Sequence, residues 1–581
     1  MPGAIERWNS DDARGTDNFT LPAGVNLQLN TNLSAARTIS LNGGGIEAFL
    51  PADHVAPTAY RTIGANVVLN LLADSTIGQN GLQGTGYDAG RLPTVGQPFA
   101  EAITGSFLEI KGTITGAGKT LTKTGQDTLI LSGTGNTYGR LIVDMGIVRT
   151  TRINTFDPTS VLTTRFNGVV DLYGFAQTVS GLGTLTGNSN LGGVGRGFSG
   201  KITDGAPTNS TLTIDNNADY TYDGTIERTI ALTKTGTGTL TLANPDNTYV
   251  NPTRINGGKL EISTLADGGI KSSIGAADRD SSFLTFDGGA LRYTGENTST
   301  DKSFTLFGGG GTIEVTDPGT SVTASGIGIG GGDFTKDCPG FLEFVNSQAL
   351  TGKVTINDGK LILQTGAKFD SSPEISVKEN GKLDVTASSE YSTSLSTPQL
   401  IRGKGEIDGN LKVESTSTVR GGNSIGTLTI VGNLTVKTGG RIYVEIAGAQ
   451  SSALYASNGG STTGTLPATP VSNNYINVQG ILDLAPGTII DIDGTGATFA
   501  GSFPFSYKIG RANSFASGVL ITSNLQFNFI GINVDTSTLQ LVSVGNDLIL
   551  NFTTVVPEPA LLLGLGGVIG VMGYRRRKVI C

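Results

Sequence analysis

Histidine and cysteine are almost missing from this sequence of 581 residues. His54 is the only histidine, and Cys338 and Cys581 are the only cysteines. A Ser-His-Asp, Cys-His or histidine-metal site would have to use His54, which lies between prolines in PADHVAP and is interpreted as a surface loop residue. The two cysteines supply neither a disulfide framework nor a metal cluster, and Cys338 is interpreted as a small residue at a strand corner.

Charge is also scarce, and clustered positive charge most of all. Charged residues make up 15% of the chain and aromatic residues 7%, the formal net charge is −8, and no cluster of lysine and arginine precedes residue 575. Nucleic-acid binding needs a basic stripe that displaces counterions from the phosphates. The sequence therefore predicts a protein that does not bind nucleic acid.

Motifs that would indicate catalysis or a cofactor are missing as well. The glycine runs 308–311 and 330–332 lack the Gly-Lys-Ser/Thr ending of a phosphate loop and are interpreted as corners between strands. The acidic pairs at 11–12 and at Asp278 and Asp280 show no spacing that would oppose two carboxylates across a cleft. We predict no enzyme activity, no cofactor and no metal site. A polysaccharide lyase or hydrolase on a β-helix scaffold is the alternative.

Glycine, by contrast, is abundant, and the glycine-rich sequence contains an internal repeat. The chain contains 86 glycines, and residues 232–262 read LTKTGTGTLTLANPDNTYVNPTRINGGKLEI. Related stretches occupy 121–150 and 334–363, with Lys123, Lys234 and Lys336 at the same place in the three copies. Internal repetition at such spacing indicates an architecture built from stacked units.

Each copy of the repeat predicts two short strands. TLTLAN and FLEFVN alternate polar and apolar residues, which is the period-two pattern of a half-buried strand. Asn-Gly and Asp-Gly corners follow, where glycine adopts positive φ without a steric penalty. Because neither strand could bury its apolar side alone, we predict an all-β fold, a right-handed parallel β-helix in which copies stack on one another.

The three copies resemble the autotransporter-associated β-strand repeat, also called the passenger-associated transport repeat, of secreted bacterial proteins. The resemblance rests on L-T-K-x-G-x-G-x-L-x-L, on N-T-Y and on the closing I-N-G-G-K-L, all present within 232–262. It implies a parallel β-helix and specifies neither a ligand nor a reaction.

The rest of the chain is divided by composition. We predict an N-terminal segment at 1–24, a β-helix at 25–450, a loop at 451–473 and a β-rich cap at 474–555 that closes the solenoid. Residues 79–101 are predicted to protrude as a further loop, and the run GNSIGTL at 422–428 resembles a turn that follows such repeats.

The first 30 residues lack the apolar region that follows a basic region in a secretory signal peptide. We interpret this as a clipped or misassigned start. The competing interpretation is a cytoplasmic protein.

The last 26 residues carry a three-part pattern. Pro557, Glu558 and Pro559 precede an apolar stretch at 560–574, which a basic cluster follows. As a helix the 15 apolar residues would extend about 22 Å, short of the roughly 30 Å hydrocarbon core of a membrane. Prolines keep the first part extended, and the cationic part resists crossing a membrane. A buried or terminal amphipathic helix is the alternative interpretation.

This tail resembles the PEP-CTERM sorting signal. The resemblance implies a short C-terminal hydrophobic helix inserted transiently into the inner membrane, recognition of Pro-Glu-Pro by an exosortase-like enzyme, and cleavage. The predicted membrane segment is Ala560, Leu561, Leu562, Leu563, Gly564, Leu565, Gly566, Gly567, Val568, Ile569, Gly570, Val571, Met572, Gly573 and Tyr574, and the basic stop is Arg575, Arg576, Arg577 and Lys578.

Together these features predict an exported structural or adhesin-like protein of the cell envelope or extracellular matrix of a Gram-negative-type bacterium. Exopolysaccharide or other cells would be its further partners. An autotransporter passenger is set aside as an interpretation, because the chain shows no long alternating C-terminal strands of an outer-membrane barrel.

Overall fold

The chain folds as a parallel β-helix. A computed structural model describes residues 4–8, 16–48, 60–78, 107–125, 128–183, 200–446, 473–495, 497, 504–516 and 522–555. Within these residues the regular secondary structure consists of short strands joined by turns and bends, and the helical element is one 3-10 turn, Thr522–Asn524. This agrees with the all-β solenoid that the repeat predicts.

Most of the strands are short, and they follow one another at regular intervals. The strands of the first third are β1 (Ala4–Trp8), β2 (Phe19–Pro22), β3 (Val25–Leu29), β4 (Arg37–Asn42), β5 (Gly45–Ala48), β6 (Tyr60–Ile63), β7 (Val67–Leu71), β8 (Ser75–Gly78), β9 (Phe107–Ile110), β10 (Ile114–Thr124), β11 (Thr128–Leu131), β12 (Thr137–Val143), β13 (Ile147–Thr150), β14 (Val161–Thr164), β15 (Val169–Asp171), β16 (Gln177–Val179) and β17 (Gly181–Gly183). Those of the second third are β18 (Lys201–Thr203), β19 (Ser210–Asp215), β20 (Tyr220–Tyr222), β21 (Thr225–Ile226), β22 (Ile230–Thr235), β23 (Thr239–Leu242), β24 (Thr253–Ile255), β25 (Lys259–Ile262), β26 (Leu284–Phe286), β27 (Ala290–Tyr293), β28 (Thr298–Thr300), β29 (Phe304–Leu306), β30 (Gly311–Val315), β31 (Ser321–Ala324), β32 (Gly328–Gly330), β33 (Phe334–Asp337), β34 (Phe341–Phe344) and β35 (Ala349–Leu350). The remaining strands are β36 (Val354–Leu363), β37 (Glu374–Asp384), β38 (Tyr391–Ser392), β39 (Leu400–Gly403), β40 (Glu406–Asp408), β41 (Leu411–Val413), β42 (Thr418–Gly421), β43 (Thr427–Ile430), β44 (Leu434–Val436), β45 (Arg441–Glu445), β46 (Tyr475–Leu484), β47 (Ile489–Asp493), β48 (Pro504–Phe515), β49 (Gln526–Ile530), β50 (Val534–Val544) and β51 (Asp547–Thr554).

Strands of successive coils pair in parallel. Among the described residues the paired strands form sheets of 11, 7, 8 and 25 members, and the pairs are parallel except for the two that β51 makes with β48 and β50. The largest sheet arises because some strands continue around a corner. β36, for example, pairs with both β33 and β34 of the preceding coil.

The interior is a set of ladders in which like residues stack from coil to coil. One aliphatic ladder joins β34, β36, β37, β40 and β43 in register, and all its members are buried: Leu342, Leu361, Leu383, Ile407 and Ile430. A second ladder is aromatic, with ring centroids 5.8 to 6.4 Å apart between neighbours, and consists of Phe286, Phe304, Phe334, Phe344 and Phe369. No coil could bury these side chains by itself, so the stack is held by contacts between coils.

The parallel stack begins before residue 25, the first residue of the predicted β-helix. β1 pairs with β3 and β2 pairs with β4, both in parallel. Trp8 is buried, and its ring lies 4.6 Å from that of Phe19. The described part of the N-terminal segment therefore belongs to the first coils, because its aromatic side chains cover the end of the core.

The parallel stack also continues into the predicted cap. β46 and β47 pair in parallel with the coil below, and β49 adds a further parallel strand to β47. Only then does β51 return antiparallel between β48 and β50. The predicted loop at 79–101, the predicted loop at 451–473 except its last residue, and the predicted hydrophobic helix lie outside the described residues; that last residue, Asn473, is buried and forms a bridge with Ile446. Among those that are described, no helix is long and apolar enough to cross a membrane.

Candidate ligand-binding corner

The repeat lysines, Lys123, Lys234 and Lys336, are buried at the corners that follow their strands. Each stands in an interior ladder between aliphatic residues of the neighbouring coils; Lys234, for example, pairs with Ile214 on one side and Ile255 on the other. Its four methylenes occupy the apolar position, and its ammonium group reaches the corner, as long cationic side chains do when the stem is buried.

Each ammonium group bridges two coils through backbone carbonyls. Lys234 Nζ donates to the carbonyl oxygens of Thr235 and Gly236 on its own corner and of Gly257 on the next, at 2.5 to 3.3 Å. The other two lysines make the same pattern at 2.6 to 3.1 Å, with acceptors on Thr124, Gly125, Met145, Asp337, Cys338 and Asp358. The repeat lysines are therefore structural bridges between coils.

The N-T-Y motif has a similar bridging role. Asn247 Oδ1 accepts a hydrogen bond from the amide of Ile226 at 2.7 Å, and its Nδ2 donates to the carbonyl of Ser273 at 2.9 Å. Asn136 makes the equivalent contacts in the first copy. In the third copy Gln348 replaces the asparagine and accepts from the amide of Gly328 at 2.6 Å. The repeat pattern does not reveal this replacement, because the third copy lacks the N-T-Y residues and is one residue shorter before Leu350.

Carboxylates and lysines form a ladder across β36, β37 and β40. Lys360 Nζ lies 3.0 Å from Asp384 Oδ2 and 3.2 Å from Asp408 Oδ2, while Lys382 Nζ lies 2.6 Å from Glu406 Oε1. Because Glu406 and Asp408 are two residues apart on one strand, their side chains share a face. We call Asp384, Glu406 and Asp408 the carboxylate ladder.

The pKa values within the carboxylate ladder diverge. A hydrogen bond from Lys382 lowers the pKa of Glu406, whereas burial and the contact with Glu406 raise the pKa of Asp408. Burial opposes ionisation of Asp384 too, but hydrogen bonds from Thr386 and Lys360 outweigh it and lower that pKa. The ladder therefore offers one carboxyl group that is protonated more readily than its neighbours.

An open cleft of about 370 Å³ lies at one corner of four successive coils. Its lining, which we call the open corner, consists of Asn357, Lys378, Glu379, Lys404, Asn423 and Ser424. Asn357 follows the first part of β36, and Lys378 and Glu379 lie at the bend of β37. Lys404 follows β39, and Asn423 and Ser424 follow β42 within the predicted turn at 422–428. Amide, hydroxyl, ammonium and carboxylate side chains thus line one cleft, and their carbon atoms form much of its exposed surface.

The structure places the other residues singled out from the sequence as follows. Asp278 and Asp280 are exposed in the connection between β25 and β26. Cys338 occupies the corner after β33 with φ +65°, the place that Gly236 holds in the second copy with φ +71°. His54, the acidic pair at 11–12 and the whole C-terminal tail from Pro557 to Lys578 lie outside the described residues. Within the described ranges, no three His, Cys, Asp or Glu side chains gather closely enough to hold a metal ion.

Comparison with known proteins agrees with the repeat. The family model of the passenger-associated transport repeat matches residues 121–146 and 232–262, within the first two copies. The chain is also similar to the adhesin BmaC autotransporter of Brucella suis biovar 1 (strain 1330), with 30% identity over 357 residues. That match covers 60% of this chain but 10% of the relative, so the chain spans a small part of the length of that protein.

Proposed function

We propose that this chain is a non-enzymatic structural or adhesin-like rod of the bacterial cell surface or extracellular matrix. The observation that carries the proposal is the continuous parallel β-helix with repeats of the passenger-associated transport type, in a chain similar to part of an adhesin autotransporter. A solenoid of this kind displays ladders of side chains along its length, and such extended surfaces suit contact with large partners.

Surface exposure is the first test. An antibody against the β-helix should label intact cells, and protease added outside intact cells should degrade the chain while a cytoplasmic marker survives. Labelling that appears only after the cells are opened would contradict the proposal.

We also propose that the C-terminal tail directs sorting. The tail would insert transiently into the inner membrane of a Gram-negative-type bacterium, and an exosortase-like enzyme would cleave it at Pro557–Pro559 before delivery to the envelope or its exopolysaccharide. The support is the order of extended motif, apolar stretch and basic cluster in the sequence.

Mass spectrometry of the envelope fraction tests the sorting step. Mature chains should end near Pro557–Pro559, and the double substitution P557A/P559A should leave the tail in place. The double substitution P467A/P470A, which changes two prolines outside the motif, should be processed normally. Envelope chains that retain Cys581 in the unsubstituted protein would refute cleavage without affecting the surface role.

A carbohydrate-active enzyme, a polysaccharide lyase or hydrolase, is the second candidate function. The carboxylate ladder favours it, since paired carboxyl groups with divergent pKa values are what acid–base catalysis requires. Against it, each carboxylate of the ladder contacts a lysine ammonium group. A turnover screen on acidic and neutral polysaccharides decides the question: activity that E406Q and D408N abolish would establish the enzyme.

A further inference from the structure

The open corner is formed by side chains from successive coils, so the distance between neighbouring coils sets the spacing of these side chains. The amides of Lys404 and Gly405 both donate to the carbonyl of Val377, which holds the corner after β39 directly against that of β37. Neighbouring coils lie about 4.8 Å apart. This spacing is close to the length of one sugar unit in an extended polysaccharide.

The open corner carries two lysines, Lys378 and Lys404, and one carboxylate, Glu379, so its formal charge is +1. Neither Lys378 nor Lys404 forms an ion pair or a side-chain hydrogen bond with any residue that the structure describes. The nearby guanidinium groups differ, because Arg402 pairs with Glu374 at 2.7 Å and Arg420 pairs with Glu445. Of these four basic side chains, the two lysines are therefore the ones available to an anionic ligand.

Neutral hydrogen-bonding groups lie beside the two lysines. Asn423 Oδ1 accepts from Ser376 Oγ at 3.3 Å, and Ser424 Oγ lies 3.3 Å from Glu445 Oε1, which fixes the turn that forms one wall. The lining residues are all of polar or charged type, and their carbon stems supply most of the exposed surface of the cleft. Such a cleft suits a ligand that combines anionic groups with many hydroxyls.

We propose that the open corner binds an acidic polysaccharide, with Lys378 and Lys404 contacting carboxylates on sugar units of one extended chain. This inference rests on the proposed surface function and names the ligand class for it. A neutral glucan would leave both ammonium groups without a counterion. A nucleic acid would need a far longer basic stripe than two lysines.

The test measures binding of the full chain to polygalacturonate, a polymer with a carboxylate on each sugar. The double substitution K378Q/K404Q keeps much of each aliphatic stem and should weaken binding about tenfold, since each exposed ion pair contributes up to roughly fivefold. The matched control is K353Q/K437Q, which removes two exposed lysines outside the open corner and should change affinity less than twofold. Dextran should not bind.

Glu379 supplies a test of opposite sign. It lines the same cleft and should repel a polyanion, so E379Q should strengthen binding about twofold at low salt, and this gain should shrink as added salt screens the repulsion that the substitution removes. Three results would overturn the proposal: equal losses of affinity in K378Q/K404Q and K353Q/K437Q, weaker binding of polygalacturonate by E379Q, or binding of dextran or duplex DNA as tight as that of polygalacturonate. Surface labelling of intact K378Q/K404Q cells separates the two hypotheses, because a failed binding site leaves the surface location unchanged.

Discussion

At the residue scale, the contacts of the repeat lysines show the structural role of the lysine position in the repeated motif, which is to join two coils. Period-two alternation places Lys234 on the same side of its strand as Leu232, so the pattern itself points the lysine inward. The position was recognisable from the sequence, but its role was not. The three carbonyl acceptors come from two corners whose approach depends on how one coil stacks on the next.

We expect Lys234→Met to destabilise the protein by about 2–3 kcal/mol, because it leaves three corner carbonyls without their charged donor. Urea unfolding with hydrogen exchange at the adjacent amides measures the loss, which should be local to the neighbouring coils. The matched control is Lys271→Met, whose side chain is 59% exposed and which should cost less than about 0.5 kcal/mol. Equal effects of the two substitutions would show that Lys234 is not a bridge.

The stability difference between the unsubstituted protein and Lys234→Met should also depend on pH, with a defined sign. Burial lowers the pKa of Lys234 to about 8 from 10.5. Between those values the unfolded chain holds a proton that the folded chain has lost, so this group stabilises the fold above 10.5 and the contribution disappears as the pH falls through 8. The cost of Lys234→Met should therefore grow from pH 8 to 10.5. A constant cost over that range would show that the three carbonyls keep the ammonium charged.

Cys338 and Gly236 allow a reciprocal test of the repeat corner. Both have positive φ, which costs an L-residue about 1–2 kcal/mol, against about 0.5–1 kcal/mol of extra chain entropy for glycine. Cys338→Gly should therefore stabilise the protein by about 0.5–1 kcal/mol in thermal unfolding. Gly236→Cys should destabilise it by about 1–3 kcal/mol, because its Cβ would meet the Asn216 carbonyl oxygen at 2.3 Å. Stabilisation by both substitutions would refute the argument.

At the element scale, the strands themselves could be predicted well, because alternation and glycine corners mark them directly. TLTLAN and FLEFVN correspond to β23 and β34, and both alternate buried and half-buried residues. Alternation does not predict which inward-facing residues contact one another between coils. The phenylalanine ladder is the example: its members are separated by many residues, and only the register of the stack brings their rings together.

We expect Phe344→Ala to cost about 3–5 kcal/mol, since the ring is fully buried and contacts three other phenylalanine rings of the ladder. Phe307→Ala is the control, because that ring is 53% exposed and its loss should change stability by less than about 0.5 kcal/mol. Denaturant unfolding of both variants measures the difference. A cost below 1 kcal/mol for Phe344→Ala would mean that the ladder repacks around the missing ring.

At the scale of the whole molecule, the boundaries were the least predictable feature. Residues 1–24 carry no repeat signature, yet β1 and β2 pair with the coil that follows. The predicted cap likewise begins as further parallel coils before β51 turns back. Among the described residues β1 and β2 each pair with a single strand, and both are too short to show a clear alternation, so their membership in the stack depends on contacts that the sequence does not display.

The antiparallel end has a consequence for assembly. β51 covers the edge of β48, and Phe552 fixes it there through ring contacts with Phe505, Tyr507 and Phe529 at 5.6 to 6.3 Å. An uncovered strand edge offers unpaired amides and carbonyls to another chain. Phe552→Ala should therefore loosen β51 and promote association of rods end to end, visible as concentration-dependent growth in sedimentation velocity. The exposed-ring control Phe307→Ala should sediment as the unsubstituted protein does. If the Phe552 variant unfolds locally but keeps its sedimentation coefficient at every concentration, then something other than β51 prevents the coils of one molecule from continuing into the next.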